Sequence, residues 1–103
     1  NMADTPETKL KKKCIEVLDA LGPDCWYFKV LGGPGQKAGV PDLIGCYKGR
    51  FFAPELKVAP NKPSGKQLHE IAKIQAADGS SDVIWSIEEF KKFMDRVRER
   101  ADW

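Results

Sequence analysis

Three ionisable side chains, Asp42, Glu55 and Lys57, lie on either side of one short hairpin in this sequence of 103 residues. The tight turn at Lys48-Gly49 predicts that the flanking strands pair antiparallel, which can bring Asp42 beside Glu55. Because side chains alternate along a strand, Glu55 and Lys57 point to the same face. Two carboxylates placed together near a core need a cation, and oxygen ligands of this kind suit Mg²⁺ or Mn²⁺.

A divalent cation in such a cluster lowers the pKa of a bound water and neutralises charge on a phosphoryl transition state. Lys57 can then orient the water or stabilise the developing negative charge. The ordinary alternative is a surface Glu-Lys pair with an aspartate at a strand start. The segment GVPD before the hairpin and the glycine-rich loop 32–39 favour the site. That loop fits neither GxxxxGK[ST] nor GxGxxG, so we expect no nucleotide cofactor.

The hydrophobic periodicity predicts an element order of α-β-β-β-α-β-α. The first helix follows Thr5-Pro6, and the second has a capping-box pattern at Ser64 and Gln67. The predicted strands span 25–32, 40–47, 50–58 and 82–86, and the last helix follows Ser86. A hairpin followed by a β-α-β crossover indicates a mixed sheet flanked by helices, so the fold class is α/β.

Composition and charge set the broad class. The chain is 42% hydrophobic and 31% charged, which is typical of a globular domain rather than a disordered chain. No apolar run is long enough to span a membrane, and three cysteines without CxxC spacing favour a reducing cytoplasm. The net charge of +2 hides a basic middle segment: residues 31–66 carry six Lys or Arg and only two acids. That segment, with Lys37, Lys62 and Lys66, is a candidate contact for nucleic-acid phosphates.

Several motifs together resemble a known family. GxPDLIG over 39–45, a short hairpin, ExK over 55–57, SxxQ over 64–67 and the strand-helix step DVIWS-IEE are similar to the PD-(D/E)XK nuclease superfamily. More narrowly, they resemble the virus-type replication-repair nuclease (VRR-NUC) domain, from about Glu7 to about Phe90. The resemblance implies a restriction-endonuclease-like α/β/α sandwich, with residues 1–103 as one domain. We expect residues 1–4 to be disordered or a cloning remnant.

The resemblance also implies roles for individual residues. Asp42 and Glu55 correspond to metal ligands, joined by the backbone carbonyl of Leu56, with Mg²⁺ or Mn²⁺ as the cofactor. Lys57 corresponds to the catalytic lysine, and Gln67 to the glutamine that opens the following helix. Pro54 departs from the pattern, which usually has an aliphatic residue there, and predicts a bulge or an edge in the strand.

The family also has a glutamate on its first helix, and a helical wheel distinguishes two candidates here. Glu7 falls within the apolar stripe formed by Leu10, Cys14 and Leu18, whereas Glu16 falls on the opposite face. We therefore predict that Glu7 is directed inward as a ligand or supporting carboxylate. The alternative for Glu7 is favourable placement near the positive end of the helix dipole.

The resulting hypothesis is a metal-dependent endonuclease that hydrolyses phosphodiester bonds in DNA. By resemblance we expect branched DNA as substrate, resembling a Holliday junction or flap, a homodimer, and a cytoplasmic location in a bacterial or phage-infected cell. One alternative is a non-catalytic DNA-binding module that keeps the nuclease fold. Another is a structural α/β interaction domain that binds no metal. The aromatic segment Trp26, Tyr27 and Phe28 is expected to fill a core or a subunit interface rather than stack on bases.

Overall fold

The computed structural model describes residues 3–101, so that Asn1 and Met2, part of the segment 1–4 considered above, lie outside the described residues. Asp4 forms an ion pair with Lys12, at 2.6 Å between Oδ2 and Nζ. The elements are α1 (Pro6–Ala20), β1 (Cys25–Lys29), β2 (Leu43–Tyr47), β3 (Arg50–Leu56), α2 (Gly65–Ala76), β4 (Ser80–Ile84) and α3 (Ile87–Ala101), with a 3₁₀ turn at Gly22–Asp24. This is the predicted element order.

One mixed sheet of four strands, in the order β1-β2-β3-β4, organises the molecule. Strands β1, β2 and β3 pair antiparallel, whereas β3 and β4 are parallel and are joined through α2. The two-residue turn at Lys48-Gly49, where both residues have positive φ, closes the β2–β3 hairpin. The predicted mixed sheet with flanking helices is confirmed. The strand predicted over 82–86 in fact begins at Ser80.

The two faces of the sheet are covered differently. The face that carries Phe52 and Leu56 packs against α1 and α3, and this layer forms the main core. Helix α2 packs on the opposite face, over β3 and β4. A Cβ placed on Gly79 would meet Ile74 of α2 and Phe51 of β3, which confirms that α2 lies on the Phe51 side. The layers are therefore α/β/α, as expected of a restriction-endonuclease-like sandwich.

Pro54 lies where the pairing between β2 and β3 stops. The β2–β3 ladder ends at the pair Gly45–Phe52, while β3 continues beside β4 through Leu56. Proline has no N–H to donate, so it fits the stretch of β3 that faces no β2 partner. Beyond this point the Leu56 N–H donates to the side chain of Asp42 rather than to a strand carbonyl. The end of this ladder opens a gap between β2 and β3.

The aromatic segment of β1 is placed differently from the expectation. Trp26 and Phe28 are 63% and 45% exposed, so neither fills the core, and the subunit interface that was the other expectation stays a prediction. Their rings pack on each other instead, with centroids 5.6 Å apart. Tyr27 points to the other face, packs against the core, and its hydroxyl donates to Asp19. This hydrogen bond, together with burial and the negative charge of Asp19, raises the pKa of Tyr27 to about 12.

Candidate active site

The gap between β2 and β3 brings Asp42 and Glu55 together, as the hairpin predicted. Asp42 directly precedes β2, and its Oδ2 accepts a hydrogen bond from the Leu56 N–H at 2.8 Å. Glu55 lies on β3, is only 1% exposed, and faces the side of the sheet covered by α2. Asp42 is thus fixed by a backbone hydrogen bond, whereas Glu55 is fixed by the packing that buries it.

Glu55 has an incomplete set of partners. Gln67 Nε2 donates to its Oε2 at 3.1 Å, and Lys57 Nζ lies 3.7 Å from the same oxygen. The other oxygen, Oε1, is buried without a hydrogen-bond partner among the described residues. A buried carboxylate oxygen without a partner is costly, because it has lost water and gained nothing in exchange.

Burial and neighbouring charges shift the acidity of Glu55. Desolvation is the main cause and raises its pKa from 4.5 to about 8. The negative charge of Asp42, a side-chain hydrogen bond with Asp42 and the charge of Glu7 add to the shift, and Lys57 opposes it. At neutral pH this carboxyl group therefore keeps a proton unless a cation offsets its surroundings. Such a perturbed group in a cleft is typical of a functional site.

Glu7 approaches the same cluster from the first turn of α1. Its Oε1 is also buried and has no hydrogen-bond partner in the part of the chain that the structure describes. Its charge contributes to the raised pKa of Glu55, which places the two carboxylates near each other. Glu16, by contrast, is exposed. The helical wheel therefore predicted correctly which glutamate is directed inward.

Gln67 links the second helix to the site. Its N–H donates to the Ser64 hydroxyl at 3.2 Å, and its Oε1 accepts from the Ser64 N–H at 2.8 Å. This capping box leaves Nε2 free to donate to Glu55. A single side chain thus caps the start of α2 and donates a hydrogen bond to a buried carboxylate.

The cluster fits a small divalent cation. Across residues 3–101, no three His, Cys, Asp or Glu side chains enclose a cation by themselves. Mg²⁺ does not require such a cage, because it keeps several waters and binds one or two carboxylates together with substrate phosphates. A cation would give the oxygens of Glu55 and Glu7 a partner and would lower the raised pKa of Glu55. Asp42, Glu55 and Glu7 supply carboxylate oxygens, the kind of ligand that Mg²⁺ prefers.

The three lysines predicted to contact DNA do not share one environment. Lys37, in the glycine-rich loop, is 3.1 Å from Glu70 of α2, so the free protein already pairs its charge. This contact raises the pKa of Lys37 and lowers that of Glu70. Lys62 and Lys66 are exposed, and within residues 3–101 neither forms an ion pair. Sequence reasoning missed Glu70, although its spacing of three residues from Gln67 places both on one side of α2.

The glycine-rich loop approaches α2 at Gly39. Its φ is +84°, and a Cβ there would lie 2.5 Å from the backbone oxygen of Lys66. The loop also borders a cavity of about 350 Å³ that reaches Asp42. Only glycine allows this approach, which fixes the loop beside the start of α2 and therefore beside Gln67.

Comparison with known proteins agrees with the geometry. Four chains of solved structure match, among them one described as a VRR_NUC domain, with 26% sequence identity and a TM-score of 0.73. The match covers 89% of this chain and 97% of that chain. No family model matches the sequence, and a search of curated proteins finds no match. None of the helices in residues 3–101 is long and apolar enough to cross a membrane. The similarity to the VRR-NUC domain that the motifs indicated is thus confirmed: the chain has the fold of that domain.

Proposed function

We propose that this protein is a metal-dependent endonuclease that hydrolyses phosphodiester bonds in DNA. The observation that carries the proposal is the buried Glu55 carboxylate, which has one oxygen without a partner and lies with Asp42 at the open end of the β2–β3 ladder. A buried pair of acids costs stability, and a divalent cation offsets that cost. The nuclease-type fold supports phosphate esters as the substrate class.

Each residue of the site has a distinct proposed task. Asp42, Glu55 and the Leu56 carbonyl hold Mg²⁺ or Mn²⁺, and Glu7 supports the cation from α1. When bound, the metal supplies charge neutralisation at the phosphate and a more acidic water. Lys57, with its side chain 15% exposed, holds its ammonium 3.7 Å from Glu55 Oε2 and stabilises negative charge that develops on the phosphate oxygens. Gln67 keeps Glu55 in place through its amide.

DNA binding is proposed to use the basic residues beside the opening. Lys62 and Lys66 lie at the start of α2, next to the point where Gly39 contacts its backbone. Lys37 contributes when phosphate displaces Glu70. Such contacts release counterions, so affinity should fall with increasing salt. Selectivity for branched DNA and a homodimeric state remain part of the proposal and are supported by the family resemblance.

The decisive experiment incubates end-labelled four-way junction, flap, single-stranded and duplex DNA with the protein, with and without Mg²⁺. Cleavage should require the cation and should be abolished by Asp42→Asn and by Glu55→Gln. Glu7→Gln should reduce cleavage, whereas Glu16→Gln, on the exposed face of the same helix, should not. Undiminished cutting by Asp42→Asn or Glu55→Gln would overturn the assignment.

The same samples separate the alternatives. DNA binding without cleavage in either cation would indicate a non-catalytic module, although the complete set of Asp42, Glu55 and Lys57 argues against it. Titration calorimetry with Mn²⁺ that shows no binding would indicate a purely structural domain. Light scattering that gives 11.5 kDa, the mass of one chain, would contradict the homodimer.

A further inference from the structure

The exposed aromatic pair of β1 lies on the same face of the sheet as the proposed catalytic residues. Trp26 pairs with Cys46 across β1 and β2, and Cys46 pairs with Phe51 across β2 and β3. Directly paired residues share a face, and along β3 every second residue after Phe51 does so too, which includes Glu55. Phe28 belongs to this face as well, since it lies two residues after Trp26.

This half of the face is open. Helix α2 covers the side formed by β3 and β4, whereas Trp26, Phe28 and Phe51 remain 63%, 45% and 41% exposed. Leu31, in the loop that follows β1, is 92% exposed. We call Trp26 and Phe28 the aromatic shelf. Their rings pack on each other, so the shelf is held in place without a covering element.

The aromatic shelf lies near the catalytic end of the sheet. The Val30 N–H donates to the Asp42 carbonyl at 2.9 Å, so Val30 is beside Asp42 at the end of the β1–β2 ladder. With a rise of about 3.4 Å per residue, Phe28 is about 7 Å and Trp26 about 14 Å back along β1 from that point. Phe28 and Trp26 are therefore the first and second side chains back from Val30 on the face of the sheet that also carries Asp42, directly before β2.

A basic side chain lies between the shelf and Asp42. Lys37 belongs to the glycine-rich loop that follows β1, whereas Lys29, although exposed, lies on the opposite face of β1 from Trp26 and Phe28. The cavity bordered by the glycine-rich loop, with Lys37 in its wall, extends from Val30 and Leu31, which follow β1, to Asp42. Exposed aromatic rings, here tilted 54° to each other, next to a basic groove are the combination that binds unpaired nucleobases by stacking.

We propose that Trp26 and Phe28 stack on unpaired bases of the nucleic-acid strand that enters the site at Asp42. This inference rests on the proposed nuclease function and specifies its substrate: DNA with single-stranded nucleotides beside the cleaved phosphate. A fully paired duplex has no free base faces to offer, so the shelf distinguishes branched or single-stranded DNA from duplex without reading sequence.

The test measures binding in EDTA, where no cleavage is needed. A fluorescein-labelled oligothymidylate of about 12 nucleotides is titrated against the protein, with a blunt duplex as the second probe. Trp26→Ala should weaken oligothymidylate binding by about 5- to 100-fold and duplex binding by much less. Trp26→Phe keeps a ring and should restore most of the affinity. Trp85→Ala, which removes a 38% exposed tryptophan from another surface, is the matched control and should bind normally.

Tryptophan emission gives an independent measurement. Oligothymidylate should quench the emission of the wild-type protein and of Trp85→Phe, and quench Trp26→Phe much less. Equal losses for both probes, or normal oligothymidylate binding by Trp26→Ala together with Phe28→Ala, would overturn the inference. A change of mass by light scattering in Trp26→Ala would do so too, since it assigns the shelf to a second copy of the chain. Because these readouts do not depend on metal, failure of cleavage with intact quenching would overturn only the proposed function.

Discussion

Replacing Glu55 by glutamine should change how the stability of the protein depends on pH. In the folded protein, burial and the charges of Asp42 and Glu7 raise the pKa of Glu55 from 4.5 to about 8. Below pH 4.5 the folded and unfolded states both carry the proton, so the ionisation of Glu55 does not lower the free energy of unfolding. Between these two values the unfolded state releases the proton while the folded state keeps it, and the free energy of unfolding falls as pH rises.

The size of the effect follows from linkage. One proton of difference between the two states gives about 1.4 kcal/mol per pH unit, so the loss from about pH 5.5 to about pH 7.5 is on the order of 2 to 3 kcal/mol. For a domain of this length that corresponds to roughly 10 to 20 °C in Tm. Glu55→Gln does not titrate and keeps a similar shape, so it should lack this part of the pH dependence.

The assay is chemical or thermal unfolding of the wild type and Glu55→Gln in EDTA, followed by circular dichroism at several pH values. The quantity to compare is the difference between the two proteins, because carboxylates that do not interact with Glu55 contribute equally to both. We expect the wild type to lose stability relative to Glu55→Gln as pH rises, and to regain it with excess Mg²⁺. A difference that is constant with pH, or that rises, would refute the argument that Glu55 is held protonated by its surroundings.

Three further predictions concern the elements that support the site. Gly39→Ala should lower the free energy of unfolding by about 1 to 3 kcal/mol, because the new Cβ would collide with the backbone of α2. Gly35→Ala, with nearly the same φ but open space around the Cβ, should lower it by less. Equal losses in Tm for the two variants would contradict the close approach of Gly39 to α2. Gln67→Ala should cost about 1 to 2 kcal/mol through the lost cap and the lost hydrogen bond to the buried carboxylate, and an unchanged Tm would exclude both contacts. Lys62→Ala should reduce the slope of log affinity for duplex DNA against log salt by about 0.9. Lys37→Ala should reduce it by less, because Glu70 competes for the charge of Lys37. A larger reduction for Lys37→Ala than for Lys62→Ala would show that the Lys37–Glu70 ion pair is absent in solution.

Much of the site was predictable because local spacing determines it. The turn at Lys48-Gly49 sets the hairpin, and strand alternation then separates Glu55 and Lys57 from the core-facing residues. Helical periodicity alone predicted that Glu7, and not Glu16, faces inward. The capping box at Ser64 and Gln67 was likewise visible, because it depends on residues three apart. These features need no knowledge of distant contacts.

Other features depend on contacts between elements distant in sequence. The pairing of Lys37 with Glu70 and the approach of Gly39 to α2 follow from how the loop folds over that helix. The aromatic side chains of Trp26 and Phe28 predicted a place in a core or a subunit interface, since large aromatic side chains are usually buried. The tertiary structure excludes the core of the chain, because α2 covers only β3 and β4 and leaves the β1 half of that face open. The sequence by itself thus determined which charged groups converge. Only the packing of α2 decided which oxygen of Glu55 lacks a partner and which part of the sheet stays exposed, because burial depends on where a whole layer lies.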